Sequence, residues 1–152
     1  MQKLINLYHQ VDERIVEWMG KNGTNWLRVS IGIIFIWFGM LKFFPGLSPA
    51  EDLAINTIRI LTLGLIPDQI IIYGLATLET LIGLGLIVHA YMRITLLLLF
   101  MQMAGTFLPI LFFPGEVFTR FPYALTLEGQ YIIKNLIIVS AGIVIGSTVR
   151  RK

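Results

Sequence analysis

The chain has 152 residues, a formal net charge of +3, 56% hydrophobic and only 14% charged residues. Such a chain cannot cover itself with polar surface in water, where domains are about 25% charged, so we expect one membrane domain spanning residues 1–152. Cysteine is absent, which excludes dithiol–disulfide exchange, iron–sulfur clusters, thiolate zinc sites and a cysteine nucleophile. With His9 and His89 the only histidines, we expect no metal site.

The N-terminal segment has the pattern of an amphipathic helix. Apolar residues recur at helical spacing over about residues 3–20, and charged residues fall between them. This pattern predicts a helix that lies on the membrane surface. Gly20 and Gly23 are expected to end it.

Four apolar stretches follow that are long enough to cross a membrane, since a spanning helix needs about 20 apolar residues. Their expected bounds are 26–44, 70–88, 94–113 and 130–149. A loop rich in aromatic residues, 116–128, is expected before the fourth span.

A short helix is predicted between the first two spans. Ser48, Pro49 and Glu51 have the spacing of a helix start, with Ser48 as N-cap and Glu51 closing a capping box. The helix is expected to run to about Leu63 outside the hydrocarbon core. The predicted fold class is therefore all-α: a four-transmembrane-helix bundle with an N-terminal amphipathic interfacial helix and a short extracytoplasmic helix after the first span.

The basic residues predict the orientation. If the N-terminus is inside, eight basic residues lie on the cytoplasmic side and only Arg59 and Arg120 lie in external loops. The remaining two, Lys42 and Lys134, lie within spans near their outer ends. The positive-inside rule then places both termini in the cytoplasm. Because these residues cluster at membrane boundaries, we read them as topology signals and expect no nucleic acid as a partner.

Polar residues within the spans concentrate toward the predicted outer side. A carboxylate at mid-membrane costs on the order of 3 kcal/mol on insertion scales, so Glu79 must pair with a cation, become protonated or face water. Our hypothesis is a buried network of Glu79 with Lys42 or Lys134, completed by Gln102 and Asn135. A role of the same residues in helix packing alone stays open. The candidates for ligand binding or proton relay are Lys42, Glu79, Gln102, Glu128, Gln130, Lys134 and Asn135.

Small residues share helix faces with these polar groups, which predicts that the faces look into the bundle. The stripes, span by span, are Gly32 and Gly39; Ala76, Thr80 and Gly83; Gly105 and Thr106; and Gly142 and Gly146.

Three segments resemble the DoxX-like family of small bacterial membrane proteins. They are Arg28–Lys42 with the following FFPGLSPAEDLA, Leu78–Gly83, and Leu127–Leu136. The resemblance implies a four-helix protein of the bacterial cytoplasmic (inner) membrane, often an oxidoreductase-related or quinone-linked subunit. One relative in that lineage belongs to a thiosulfate–quinone oxidoreductase, and another group is linked to resistance against reactive chlorine.

Three functions stay open from the sequence. The first is a quinone- or small-lipophile-binding subunit of an oxidoreductase system, with no covalently bound cofactor and with electrons supplied by a partner. The second is a transporter or channel for a small anion or metabolite. The third is a non-catalytic scaffold. The expected partners are the lipid bilayer, a membrane or cytoplasmic protein, and a second copy of the chain; whether the protein is an enzyme stays open.

Overall fold

The computed structural model describes residues 2–44, 46–48 and 50–150, without the side chains of residues 2–7. The chain is mostly helical, as predicted. The long helices are α1 (Gln2–Leu41), α3 (Asp68–Val88), α4 (Met92–Phe107) and α7 (Leu127–Thr148). The shorter elements are α2 (Glu51–Leu61), α5 (Pro109–Phe112), α6 (Pro114–Val117) and an antiparallel pair of strands, β1 (Phe118–Arg120) and β2 (Ala124–Leu125).

Four helical stretches in the described part of the chain are long and apolar enough to cross a membrane, which confirms the number predicted. They are Tyr8–Leu41, Asp68–Val88, Met92–Phe112 and Leu127–Thr148. The third runs through α4 and α5, and the break falls where Pro109 has no N–H to donate to the preceding turn. The aromatic loop predicted before the last span, 116–128, contains the end of α6, the β1–β2 hairpin and the first residues of α7. The strands are too short to give a period-2 pattern.

The prediction of a separate N-terminal helix over residues 3–20 is wrong, because α1 continues without a break for 40 residues. Gly20 and Gly23 lie inside it, at positions with no neighbouring atom within 4 Å of an added Cβ. A glycine in a helix interior costs only about 1 kcal/mol, so it does not by itself end a helix. Lys21 also pairs with Glu17, and Asn22 Nδ2 donates to the Trp18 carbonyl, which supports the helix across the glycines.

The predicted start of α2 is also wrong. The helix begins at Glu51, after Ala50 in the left-handed region (φ 53°), so Ser48 is buried in the loop and is not the N-cap. Pro49 lies outside the described residues. The left-handed turns at Gly46 and Ala50 delay the helix start, and a second pair at Leu63 and Gly64 follows its end.

The four long helices form a ring in which α1 contacts α3, α3 contacts α4, α4 contacts α7, and α7 contacts α1. The closest approach is between α1 and α3, where the predicted glycine stripes do face the bundle. A Cβ on Gly83 would lie 2.7 Å from the Gly32 carbonyl oxygen, and a Cβ on Gly39 would lie 2.9 Å from the Thr80 nitrogen. Backbone meets backbone here, so any side chain would force the two helices apart.

Arg28 joins α1 to the end of α3. Its Nη1 donates to the carbonyls of Leu86 and Ile87, which have no partners within the helix because α3 ends at Val88. A cation at a helix C-terminus also interacts favourably with the helix dipole. Arg28 therefore fixes α1 against α3 at the end opposite α2.

The apolar core occupies only one half of the bundle. Its most buried members come from all four long helices and lie toward the α3–α4 turn: Ile31, Ile82, Leu86, Leu99 and Ile145. A smaller cluster, with Leu53, Val117 and Ile132, joins α2 and α6 to α7 at the other end. Between the two clusters the bundle is not filled.

Substitution at the α1–α3 contact should be far more harmful than the same substitution elsewhere on α3. We expect Gly83→Leu to lower the free energy of unfolding by about 2 kcal/mol or more, because overpacking against backbone cannot relax. Gly74→Leu is the matched control, since nothing lies within 4 Å of a Cβ at that position. Equal thermal stability of the two variants in detergent would contradict the close contact.

Candidate functional site

The unfilled part of the bundle is a cavity of about 280 Å³. It lies between α1, α2, α3, α4 and α7, and most of its lining side chains are apolar. This volume is near the lower end of the range for ligand pockets, about 300–1,000 Å³. Five of the seven predicted site residues line it: Lys42, Glu79, Gln102, Glu128 and Asn135.

A polar cluster forms one wall of the cavity. Lys42 Nζ lies 2.7 Å from Glu79 Oε2, and Gln102 Nε2 donates to Glu79 Oε1 at 2.9 Å. The Lys42 and Glu79 side chains are each only 11% exposed. Both carboxylate oxygens are therefore engaged, and the buried charge of Glu79 is balanced by Lys42.

The glycine contact between α1 and α3 places these two charges together. Gly39 packs against Ala76 and Thr80, the residues that flank Glu79 on α3. Lys42 comes directly after the last residue of α1, and its N–H donates to the Gly39 carbonyl in a tight turn. The lysine is thus less than one helical turn from the Gly39 contact, so its side chain reaches Glu79.

The first turn of α7 is held by its own contacts. The Thr126 hydroxyl accepts a hydrogen bond from the Gly129 N–H and donates to the Glu116 carbonyl. Gly129 lies against the Val117 carbonyl, where no side chain would fit. These contacts fix the position of Glu128 at the cavity wall.

The structure separates the predicted residues of α7 into two groups. Glu128 and Asn135 line the cavity, but neither side chain makes a hydrogen bond to another described residue, so the expected bond from Asn135 to the network is absent. Gln130 and Lys134 are exposed and do not line the cavity. Lys134 lies instead with its Nζ 5.9 Å from the centroid of the Tyr131 ring. Gln130 lies two positions from Glu128 and from Ile132, and Lys134 lies two positions from Ile132 and one from Asn135. Side chains one or two positions apart do not share a helix face, so both residues point away from the cavity.

Reasoning from the sequence missed the contribution of α2. One face of this helix covers the cavity with Leu53, Thr57 and Leu61, and Leu53 and Thr57 are only 4% and 3% exposed. The spacing of these residues, four apart, is the available signal for a face turned toward the bundle.

Gly105 has a different role from the one predicted. It faces the bundle interior, but no atom lies within 4 Å of an added Cβ, so it borders open space and makes no close helix contact. Gly105 lines the cavity, and the missing side chain leaves room there.

The arrangement can bind through hydrogen bonds but offers little net positive charge. Lys42 is neutralised by Glu79, and the lining residues include a further carboxylate, Glu128. Within the described ranges, no group of three or more His, Asp or Glu side chains is placed to hold a metal ion. The cavity therefore suits an apolar molecule with a neutral polar group.

Removal of one member of the ion pair should be more harmful than removal of both. We expect Lys42→Met to lower the free energy of unfolding by about 3–5 kcal/mol, because it leaves a buried carboxylate without its cation. Lys42→Met combined with Glu79→Gln should recover part of that loss. Lys134→Met, the same substitution at an exposed lysine, should change stability by less than about 0.5 kcal/mol. Strictly additive effects in the Lys42–Glu79 mutant cycle would contradict the coupling.

No family model matches the chain, and no curated protein or solved structure matches it either. The likeness to the DoxX-like family therefore depends on the three sequence segments alone. The site is a mostly apolar cavity with the Lys42–Glu79–Gln102 cluster in one wall.

Proposed function

We propose that the protein is a membrane-embedded binding subunit for a small lipophile with a polar headgroup, such as a quinone. The observation that carries this proposal is the combination in one cavity of apolar walls with the secluded Lys42–Glu79–Gln102 cluster. Ligand pockets typically pair a mostly apolar lining with a few placed polar groups that orient the ligand.

Membrane insertion is supported by the four apolar helices of spanning length. The 40 residues of α1 extend about 60 Å, twice the hydrocarbon thickness of about 30 Å, so its N-terminal half extends into the aqueous phase. The positive-inside rule favours cytoplasmic termini and places α2 and the β1–β2 hairpin outside. We assign the protein to the bacterial inner membrane on the resemblance to the DoxX-like family.

The cluster has the donors and acceptors that a quinone headgroup needs. An ammonium has three N–H donors, and Lys42 donates to Glu79 and to the Phe38 carbonyl, so the third can donate to a quinone carbonyl. Glu79 can accept a hydrogen bond from a quinol hydroxyl and can serve as the group that exchanges its proton. Electrons would come from a partner protein, as expected for a subunit of an oxidoreductase system.

A transporter of small anions is less well supported. Of the two lysines that could attract an anion, Lys42 is paired with Glu79 and Lys134 lies outside the cavity lining. A purely structural scaffold would not need an open cavity beside a buried ion pair, since an empty volume forfeits packing energy.

Filling the cavity should abolish ligand binding while leaving the fold intact. We expect Gly105→Leu to weaken the binding of decylubiquinone to the protein in lipid nanodiscs by at least about tenfold in Kd, or 1.4 kcal/mol. Its side chain would enter space that is open in the structure. Native mass spectrometry and titration with the quinone measure the loss.

Gly74→Leu is the control, since that position is equally open but does not line the cavity. The same loss of binding in both variants, or unchanged binding in Gly105→Leu, would show that this cavity is not the quinone site. A wild-type protein that binds no quinone or co-purifying lipophile would overturn the proposed function and leave the scaffold as the better hypothesis.

The proposed topology can be tested with single cysteines, because the chain has none of its own. In spheroplasts, Thr119→Cys in β1 should react with a membrane-impermeant maleimide. Glu13→Cys in the N-terminal half of α1 should react only after permeabilisation. Both positions are exposed. The reverse pattern would place the termini outside.

A further inference from the structure

The cavity lining contains four side chains that are also exposed at the surface of the described protein. They are Ile34 (42% exposed), Phe38 (37%), Leu61 (53%) and Tyr131 (53%). Because these residues belong both to the lining and to the surface, they mark the mouth of the cavity. All four are hydrophobic, whereas the polar Lys42 and Glu79 side chains lie deeper and are nearly covered.

The mouth extends along the side of the bundle from Leu61 at the end of α2. Tyr131 is four residues into α7, about 6 Å along the axis, and Ile34 is eight residues before Lys42, about 12 Å along α1. The opening is therefore bordered by α1, α7 and the end of α2, and it extends from near the start of α7 down to the middle of the proposed membrane span.

The end of the cavity toward the proposed aqueous side is covered by α2. Leu53 and Thr57 are buried on the face of α2 that lines the cavity, and the helix contacts α3 and α5. Arg59 Nη2 lies 2.5 Å from Asp68 Oδ2, which ties the end of α2 to the start of α3, and this contact raises the pKa of Arg59 through hydrogen bonding and charge. A water-borne molecule would have to pass beneath this helix.

We propose that the cavity opens into the hydrocarbon of the bilayer between α1 and α7, so that its ligand is a lipophile dissolved in the membrane that enters laterally. This inference rests on the proposed function and narrows its ligand to membrane-dissolved molecules. The headgroup lies against Lys42, Glu79 and Gln102, and the tail leaves past Ile34 and Phe38 into lipid. A tail longer than the cavity is accepted, because the site encloses only the headgroup and the first part of the tail.

Neighbouring positions on α1 provide a matched test. Ile34 lines the cavity, whereas Ile33, also exposed and at almost the same depth, does not. Because the chain has no cysteine, a nitroxide can be attached to Ile34→Cys or Ile33→Cys alone, and the protein can then be reconstituted in liposomes. Electron paramagnetic resonance measures collisions of each label with oxygen, which concentrates in lipid, and with a water-soluble nickel chelate.

Both labels should be accessible to oxygen and protected from the nickel chelate. Saturation with decylubiquinone should cause a loss of oxygen accessibility at position 34 and no change at position 33. If the label itself prevents binding, Ile34→Trp provides the second measurement: it should slow quinone association with the unlabelled protein, and Ile33→Trp should not.

Two results would overturn lateral entry while leaving the proposed function intact. One is access of the nickel chelate to position 34, which would show that the mouth opens to water. The other is quinone binding that affects neither position and is not slowed by Ile34→Trp. If wild-type protein binds no quinone, the proposed function fails, and the accessibility of position 34 still establishes which medium the mouth faces.

Discussion

The carboxylate of Glu79 in the interior of the bundle is the constraint on which the rest of the site depends. An ionised group away from water must be paired and hydrogen-bonded, and Lys42 and Gln102 meet both requirements. The two residues meet next to the Gly39 contact, where α1 and α3 approach more closely than side chains normally permit. The glycines at the contact make the approach possible, so the α1–α3 packing and the polar cluster are one structural solution.

The bundle divides into a packed half and an open half. Toward the α3–α4 turn, large apolar side chains from all four long helices fill the interior, and Arg28 satisfies the carbonyls at the end of α3. Toward α2 there is a cavity instead, because Gly105 has no side chain to fill it and α2 covers its end. The rigid half fixes the spacing of the helices, which keeps the open half from collapsing around its ion pair.

Much of this architecture could be predicted from the sequence because apolar length and helical periodicity are local signals. The four apolar helices and the inward-facing stripes of Gly32, Gly39 and Gly83 follow directly from them. Whether a separate N-terminal helix ends at Gly20 or Gly23 could not be decided from the sequence, because a glycine is compatible with both a helix end and a helix interior. The predicted start of α2 is wrong for a similar reason. Ser48 has the residue type of an N-cap, but the left-handed turn at Ala50 is set by the surrounding chain.

For the site, the sequence predicted the kind of interaction but not which lysine makes it. The need of Glu79 for a cation could be inferred from its depth, but two lysines satisfied that need equally in the sequence. The choice of Lys42 depends on where α1 ends relative to α3, and the exclusion of Lys134 depends on the rotation of α7 about its axis. The rotation of a helix and the covering of the cavity by α2 result from tertiary packing. No short stretch of the sequence carries a signal for them.

The unbroken length of α1 has a mechanical consequence. One continuous helix extends from the charged residues near Glu17 to the turn that carries Lys42. The helix contains no proline and no π-bulge, two of the usual causes of a sharp kink. Tilting or turning the N-terminal half of α1 therefore moves the far end of the same helix, where Lys42 holds Glu79. The N-terminal region is thus connected to the ion pair in the cavity through one continuous helix.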